Sequence, residues 1–283
     1  MKDKFRFFSI SLISGWLLVF SLFSFVLMLV ISFLKDDPEH LAFTQFTLQN
    51  YKDLLDPIFL KIFFKSFYVA FWVTLVCLLL GYPFAYIISR LPANLKNYAL
   101  LLLLLPFWTS SVVRTYAMMS ILKAKGLLNS LLIYLGLIQE PLQILFSNAA
   151  VGIGLVYNLL PFMILPIYSH LERFDFSLIE AAKDLGASNF TIFSKIVIPL
   201  SLPGIIGGIA LVFLPAMTLF YISDLLGGAK ALLLGNLIED QFLTENNWPR
   251  GAATNIMLTL IMGAGLAIYW LKGKKRINYE SVV

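Results

Sequence analysis

Long apolar runs separated by short polar segments dominate the chain. Six of them are 19 to 28 residues long, enough for an α-helix to cross about 30 Å of hydrocarbon, which takes roughly 20 residues. They cover 7–34, 66–88, 98–122, 149–169, 202–223 and 253–271. Such runs favour helices over the alternating ten-residue strands of a membrane barrel. The pattern therefore predicts an all-α polytopic membrane protein with six transmembrane helices.

Two of the connecting segments also carry apolar patterns. In segment 35–65, apolar residues recur at helical spacing behind Thr47, a candidate cap, which predicts an interfacial helix leading into the second span. The recurring residues are Leu54, Leu55, Ile58, Phe59, Ile62 and Phe63. The run Leu127 to Leu137 is too short to span and predicts a short helix against the outer membrane surface. With no linker and no tandem repeat, we expect a single transmembrane domain over 1–283.

Charge sets the expected orientation of the spans. The first run follows Lys2, Lys4 and Arg6 and resembles a signal peptide, but it is about twice the usual 7–15-residue signal core and lacks an Ala-x-Ala close. We expect a retained first helix with a cytoplasmic N-terminus, and six spans then place the C-terminus in the cytoplasm as well. The segments that this topology makes cytoplasmic carry more Lys and Arg than the external segments do. This bias has the sign that the positive-inside rule requires.

Composition narrows the function classes. Hydrophobic residues make up 59% of the chain and charged residues 13%, against about 25% charged in a soluble domain. The net charge of +5 comes from basic residues that flank apolar runs, so it indicates orientation rather than nucleic-acid binding. Cys77 is the single cysteine and excludes an intrachain disulfide. His40 and His170 are far apart, and we expect no metal site.

The loop 170–201, between the fourth and fifth spans, has the pattern of two short helices. Leu178, Ile179, Ala182 and Leu185 fall on one face of the first helix. Gly186 suits the left-handed position that ends a helix, and Ser188 can cap the second. The apolar face of the second helix is Phe193, Ile196 and Val197, before Pro199 and Pro203 mark the fifth span.

Two interpretations of this loop follow from its residues. Ala181 and Ala182 are small enough to let a helix backbone sit deep in the groove of a partner, and Glu180 supplies a charge for orientation. The alternative is an amphipathic loop that lies on the bilayer surface.

The loop resembles the EAA motif of ABC importer permeases, which reads Glu-Ala-Ala, three residues, Gly, nine residues, Ile, one residue, Leu-Pro. The matching residues are Glu180, Ala181, Ala182, Gly186, Ile196 and Pro199, with Ile198 in place of the usual Leu. The resemblance implies a type I importer permease (MetI-like) fold whose cytoplasmic coupling helices sit in a cleft of the ATPase. It assigns contact with the ATPase to the matching residues and to Asp184.

From about residue 40 to 270 the chain is similar to permeases of polyamine importers, which take up spermidine and putrescine. Four segments carry this similarity: 81–86, 106–110 followed by Arg114, 155–162 and 220–228. The resemblance implies uptake by alternating access in a bacterial inner (plasma) membrane. It also implies three partners besides lipid and polyamine: a second permease forming a heterodimer, an ATP-binding cassette ATPase dimer, and a periplasmic or extracellular polyamine-binding protein. No nucleic acid is expected.

The chain has no sequence motif for an energy source of its own. No Gly-x4-Gly-Lys-Ser/Thr phosphate loop occurs, so we expect no cofactor on this chain, and its work must come from a partner ATPase or from an ion gradient. The resemblance implies that ATP and Mg2+ are used by partner ATPase subunits. An ion-coupled carrier would place carboxylates within its spans, whereas the acidic residues here fall in loops, termini and span ends. A membrane-embedded enzyme is not favoured, because the sequence shows no catalytic constellation on adjoining spans. An ABC permease for an amino acid or inorganic ion stays open.

Polar and aromatic side chains near prolines are the candidates for the solute pathway, because a proline frees a carbonyl and bends its helix. They are Trp108, Thr109, Tyr157, Asn158, Tyr221 and Asp224. A long cation needs aromatic faces and a carboxylate, for which Asp224 is the best acidic candidate. The alternative is that the aromatic residues belong to the interfacial belt.

Arg114 lies within the third predicted span, where an ionised side chain is costly unless it is paired or faces water. A cation carrier gains nothing from an unpaired arginine in its path. We expect a structural or gate role, with a carbonyl or acidic partner that could come from the second permease.

Overall fold

The computed structural model describes residues 2–37, 43–175, 177–228 and 231–280. The chain divides into two compact units, the first made of Met1–Lys61 with Leu237–Val283 and the second of Ile62–Asn236. Each unit is described by itself below. The single domain expected from the sequence stays a prediction.

The first unit holds both ends of the chain. Helix α1 (Lys2–Leu17) continues through a π turn (Leu18–Leu22) into α2 (Phe23–Ser32), and a strand pair follows, β1 (Leu34–Lys35) antiparallel to β2 (Phe43–Phe46). Then come α3 (Gln49–Asp53), the start of α4 (Pro57–Arg90) and, after Leu237, a π turn (Asp240–Thr244) and α14 (Trp248–Glu280). The strand pair was not predicted, because strands of two and four residues show no usable alternation.

The predicted interfacial helix of segment 35–65 is interrupted. Thr47 Oγ1 accepts a hydrogen bond from the Gln49 amide at 3.1 Å, beside α3. The side-chain Nδ2 of Asn50 donates to the backbone carbonyls of Ser32 and Leu34, at 2.9 and 2.8 Å, and so ties α3 to the end of α2. Turns then separate α3 from α4. The predicted apolar residues follow α3: Leu54 and Leu55 lie in the turns, and Ile58, Phe59, Ile62 and Phe63 lie in α4.

The second unit contains the rest of α4, then α5 (Ala93–Leu104), a 3-10 turn (Leu105–Trp108), α6 (Ser111–Leu122), α7 (Leu127–Tyr134) and α8 (Asn148–Leu171). It continues with α9 (Ser177–Asp184), α10 (Asn189–Ile192), a π turn (Phe193–Val197), α11 (Ile198–Thr218), α12 (Phe220–Ile222), a π turn (Ser223–Gly227) and the start of α13 (Leu234–Glu239). Helix α7 occupies most of the run predicted as a short outer helix.

Helices α8 and α11 approach each other closely in this unit. A Cβ atom added to Gly204 would lie 2.8 Å from the Pro166 carbonyl oxygen, and one added to Gly208 would lie 2.7 Å from Met163 Sδ. Lipid supplies no hydrophobic force between membrane helices, so their association depends on close packing. Small residues permit this packing because they let the helix backbones approach each other. The two glycines therefore set the spacing of the pair that walls the cavity described below.

Four helices in the described part of the chain are long and apolar enough to cross a membrane. They are Ile10–Ser32, Pro57–Arg90, Asn148–Leu171 and Asn189–Thr218. A bent helix pair raises the count to five, and the run 253–271 lies inside α14. The predicted count of six is consistent with these helices and stays a prediction.

The third predicted span, 98–122, differs from the expected continuous helix. Ala93–Trp108 and Ser111–Tyr134 meet at a bend of 91°. Pro106 has no amide proton to continue the helical ladder, and Thr109 adopts an extended backbone with φ −98° and ψ 145°. Both the amide and the hydroxyl of Thr109 donate to the Pro106 carbonyl, at 3.3 and 2.8 Å. The break is therefore a turn held by hydrogen bonds rather than a frayed helix end.

Candidate functional site

The loop between α8 and α11 begins with a helix whose two ends are both closed by hydrogen bonds. The Ser177 amide donates to Asp175 Oδ1 at 3.0 Å, and this bond lowers the pKa of the Asp175 carboxyl below its ordinary value. At the other end Gly186 has φ +78°, as its pattern predicted. The amides of Gly186 and Ala187 donate back into the last turn at 2.9 and 3.0 Å, the hydrogen bonding of a Schellman motif.

The second half of the loop is not a separate helix. Ser188 caps it as predicted, its Oγ accepting from the Thr191 amide at 3.2 Å. From there α10, the π turn and α11 form one helix, Asn189–Thr218, which runs through Pro199. The π turn directly before Pro199 gives room for a ring that would otherwise clash with a carbonyl one turn earlier. The second half of the loop and α11 are thus joined without a break in the helix.

The predicted apolar face of α9 buries only part of its residues. Ile179 is buried, whereas Leu178 and Leu185 are 47% and 89% exposed. Phe190, at the start of the second helix, is 79% exposed. Glu180, Ala181 and Asp184 are exposed beside them, and Ala182 and Ile196 are half-buried. We call Leu178, Glu180, Ala181, Asp184, Leu185 and Phe190 the coupling surface, after the role that the resemblance implies for this loop.

An aromatic contact joins the loop to the second span. The ring of Phe193 meets Tyr82 and Tyr86 of α4 edge-on, with centroids 5.7 and 6.2 Å apart. Tyr82 also shares a 2.9 Å hydrogen bond with the Ser201 hydroxyl of α11. The sequence marked Phe193 only as apolar, because the partner residues lie more than a hundred positions earlier.

Glu172, directly after α8, joins the start of the loop to α5. Its Oε1 accepts from the Tyr168 hydroxyl at 2.5 Å and lies 3.4 Å from Lys96 Nζ. The hydrogen bond from Tyr168, and then the charge of Lys96, hold the pKa of the Glu172 carboxyl below its ordinary value. The sequence does not reveal this contact, because Lys96 is remote along the chain.

A cavity of about 550 Å³ lies between α6, α8 and α11. Its walls are Phe107, Thr109, Ser110, Ser111, Arg114, Asn158, Leu159, Phe162, Leu211, Pro215, Leu219 and Tyr221. Thr109, Asn158 and Tyr221 of the predicted pathway residues are here together with Arg114. Sequence reasoning missed the apolar wall residues of α11, which only the packing with α8 identifies.

The other predicted pathway residues lie elsewhere in the same unit. Trp108 is 82% exposed and does not line the cavity, although Thr109 beside it does. Tyr157 lines a separate apolar cavity of about 460 Å³. Asp224, the predicted acidic contact, accepts a 2.5 Å hydrogen bond from Asn236 Nδ2.

Two polar side chains of the cavity between α6, α8 and α11 have a buried atom without a hydrogen-bond partner among the described residues. Asn158 is buried, its Nδ2 donates to the Gly154 carbonyl at 2.9 Å, and its Oδ1 has no hydrogen-bond partner among the described residues. The Arg114 guanidinium carbon lies 5.0 Å from the Phe107 ring centroid and 5.9 Å from that of Tyr157. Within the described residues its cation–π contacts are thus with these two rings. The carbonyl or acidic partner, which could come from the second permease, stays a prediction.

Comparisons with known proteins place this geometry in context. A family profile described as "Binding-protein-dependent transport system inner membrane component" matches residues 80–276. The chain is 49% identical over 271 residues to the spermidine/putrescine transport system permease protein PotB of Escherichia coli, covering 95% of this chain and 98% of that protein. It is 44% identical over 274 residues to PotB of Haemophilus influenzae, covering 97% and 96%.

The fold is also found in solved structures. A crystal structure of a bacterial ABC transporter that imports the polysaccharide alginate aligns with a TM-score of 0.70, covering 93% of this chain and 92% of that one. A second structure, in complex with a periplasmic protein that holds an alginate pentasaccharide, aligns with a TM-score of 0.67. The identity is 15% in both cases, so the likeness concerns the fold alone.

Proposed function

Because the chain belongs to the family of binding-protein-dependent transport system inner membrane components, we propose that it is the permease subunit of an ABC importer for the polyamines spermidine and putrescine. The observation that carries this function is the 49% identity to PotB across 95% of the chain. The subunit is a non-catalytic, multi-pass protein of the inner membrane. The chemistry that drives transport therefore belongs to other subunits.

The coupling surface is the place where an ATPase would dock. Leu178, Leu185 and Phe190 are large apolar side chains exposed next to charged groups, which is the composition of an interface rather than of a solvated loop. We assign ATPase contact to the motif residues Glu180, Ala181, Ala182, Asp184, Gly186, Ile196 and Pro199. In this proposal an ATPase dimer binds ATP and Mg2+, and its closure moves the continuous helix Asn189–Thr218.

The cavity between α6, α8 and α11 is the proposed path of the polyamine through this subunit. Thr109, Asn158 and Tyr221 supply oxygen atoms, and the ring of Tyr157 faces the arginine on the cavity wall. Trp108 and Asp224 lie outside the cavity and stay proposed contacts for other steps of the transport cycle. Arg114 has the proposed gate role.

The remaining subunits follow from the family. We propose a second permease that forms a heterodimer with this chain, and a periplasmic or extracellular polyamine-binding protein that delivers the solute. Both termini of this chain face the cytoplasm in this arrangement, so that the coupling surface lies on the side where the ATPase binds.

Reconstitution of the full complex tests the function. Proteoliposomes with both permeases, the ATPase and the binding protein should accumulate labelled spermidine only with internal ATP, and unlabelled putrescine should compete. Omitting the binding protein and blocking ATP hydrolysis serve as controls. Uptake of an amino acid or inorganic ion but of no polyamine would contradict the solute, and uptake driven by an ion gradient without ATP would contradict the importer class.

A further inference from the structure

The arginine on the cavity wall occupies the places that a cationic solute needs. We propose that Arg114 is an internal competitor cation: its guanidinium rests against Phe107, which lines the cavity, and against Tyr157 of the neighbouring cavity, and a polyamine ammonium displaces it from the Phe107 ring to bind there. This inference rests on the proposed function and deepens it, since it identifies the residue that sets the affinity of the cavity for its solute.

The contacts of Arg114 are the first observation. Its guanidinium lies 5.0 Å from the Phe107 centroid and 5.9 Å from the Tyr157 centroid, within the range of cation–π attraction. Its Nε is buried without a hydrogen-bond partner among the residues described. Among the described residues, the two ring faces are therefore the groups that stabilise this charge.

Asn158 supplies the second observation. Its side chain is 4% exposed and lines the same cavity, and the donation of Nδ2 to the Gly154 carbonyl leaves Oδ1 as an acceptor without a partner in the described chain. A buried acceptor without a donor is costly, so the site favours a ligand that brings N–H groups. A primary ammonium carries three donors and a positive charge.

Competition between the two cations explains why an arginine stands in a pathway for cations. The described residues of the cavity wall include no carboxylate, so a polyamine would be held by ring faces and oxygen dipoles rather than by an ion pair. Part of its attraction to the rings is offset by displacing the guanidinium. The site therefore stays weak, as a transit site must for the solute to leave it.

Equilibrium binding of labelled spermidine to the assembled complex, purified without the binding protein, measures this competition. Arg114→Gln should tighten binding about 2- to 30-fold, the factor that corresponds to one cation–π interaction from exposed to desolvated settings. In a Phe107→Leu background, where the ring is absent, Arg114→Gln should change binding less than 2-fold.

Phe162→Leu is the matched control background. Phe162 lines the same cavity and its ring meets Phe107 edge-on at 5.4 Å, but the rings under the guanidinium in the described chain are those of Phe107 and Tyr157. Arg114→Gln should therefore still tighten binding in that background. General charge repulsion would instead give equal tightening in all backgrounds, and that result would overturn the inference.

Two further outcomes keep the test decisive. Weaker spermidine binding by Arg114→Gln, in a complex that still copurifies with its ATPase and second permease, would also overturn the inference. If Arg114→Gln does not assemble, Arg114→Lys replaces it: its compact, strongly hydrated ammonium stacks less well on rings, so binding should tighten by a smaller factor, and unchanged or weaker binding refutes the competition.

The proposed function is tested separately in the wild-type complex. If the wild type takes up no polyamine, the function is wrong whatever the variants do. If the wild type takes up spermidine while Arg114→Gln acts equally with and without Phe107, only the competitor role is wrong.

Discussion

Replacing Gly186 with alanine isolates the contribution of a single backbone angle to coupling. Gly186 has φ +78°, and a Cβ atom added there would meet no atom within 4 Å. The substitution therefore introduces no clash and changes only the cost of the left-handed conformation, which is roughly 1–2 kcal/mol for an L-residue. That conformation holds the Schellman hydrogen bonds of Gly186 and Ala187, which set the direction of the chain between α9 and the second helix.

The consequence for ATPase binding follows from this cost. If docking requires the observed turn, a penalty of roughly 1–2 kcal/mol reduces the population of the competent loop, and so the apparent affinity, by about 5- to 30-fold. Asparagine tolerates the left-handed region better than alanine, so Gly186→Asn should lose less affinity. The order of affinities should be wild type, Gly186→Asn, Gly186→Ala.

Titration of the labelled ATPase onto both permeases in nanodiscs measures these affinities, and ATP-driven uptake of spermidine gives a second readout. Gly207→Ala is the matched control, because Gly207 lies in α11 with an ordinary helical conformation and a Cβ atom there would make only a 3.6 Å contact. It should bind the ATPase like the wild type. Equal ATPase affinity for wild type, Gly186→Ala and Gly186→Asn would refute the reasoning.

Three further predictions concern the helices around this loop. Phe193→Leu removes the edge contact with Tyr82 and should lower spermidine uptake per ATP hydrolysed without weakening ATPase binding; unchanged coupling would contradict the contact's role. The pKa of Glu172 is lowered by its hydrogen bond from Tyr168, so its stabilising contribution is present above the ordinary value of 4.5 and is lost as pH falls through the folded pKa. Melting temperatures from pH 6 to pH 3 should therefore fall less steeply for Glu172→Gln than for the wild type, and parallel curves would refute this. Gly208→Ala inserts a methyl group into a tightly packed helix pair and should destabilise by about 1–3 kcal/mol, measured by unfolding in mild denaturant; no loss would show that α8 and α11 separate easily.

Local features of the coupling loop were predictable from the sequence. Gly186 and Ser188 act within one or two turns of themselves, and the structure shows the left-handed glycine and the serine cap that their positions predicted. The continuation of the second helix through Pro199 was not predictable in this way. A proline normally marks a boundary, whereas here the helix passes it shortly after a π turn.

The cavity shows the opposite case. Trp108 and Thr109 are neighbours with the same prediction, but the bend of 91° leaves Trp108 exposed and turns Thr109 into the cavity wall. Asp224 was predicted from its charge, and its hydrogen bond to Asn236 depends on a segment that returns to the end of the fifth span. The direction of a side chain after a break in a helix is not contained in the periodicity of either half.

The sequence by itself determined that this protein lies in a membrane and is helical, because apolar runs long enough to span are visible along the chain. It also determined the short-range geometry of the coupling loop, because helix capping acts over a few residues. The tertiary structure alone decided that Thr109, Arg114, Asn158 and Tyr221 share one cavity. These residues come from separate segments, and they meet because a broken third span and the close approach of α8 and α11 bring them together. Among the described residues, the Arg114 guanidinium lies over the rings of Phe107 and Tyr157 for the same reason.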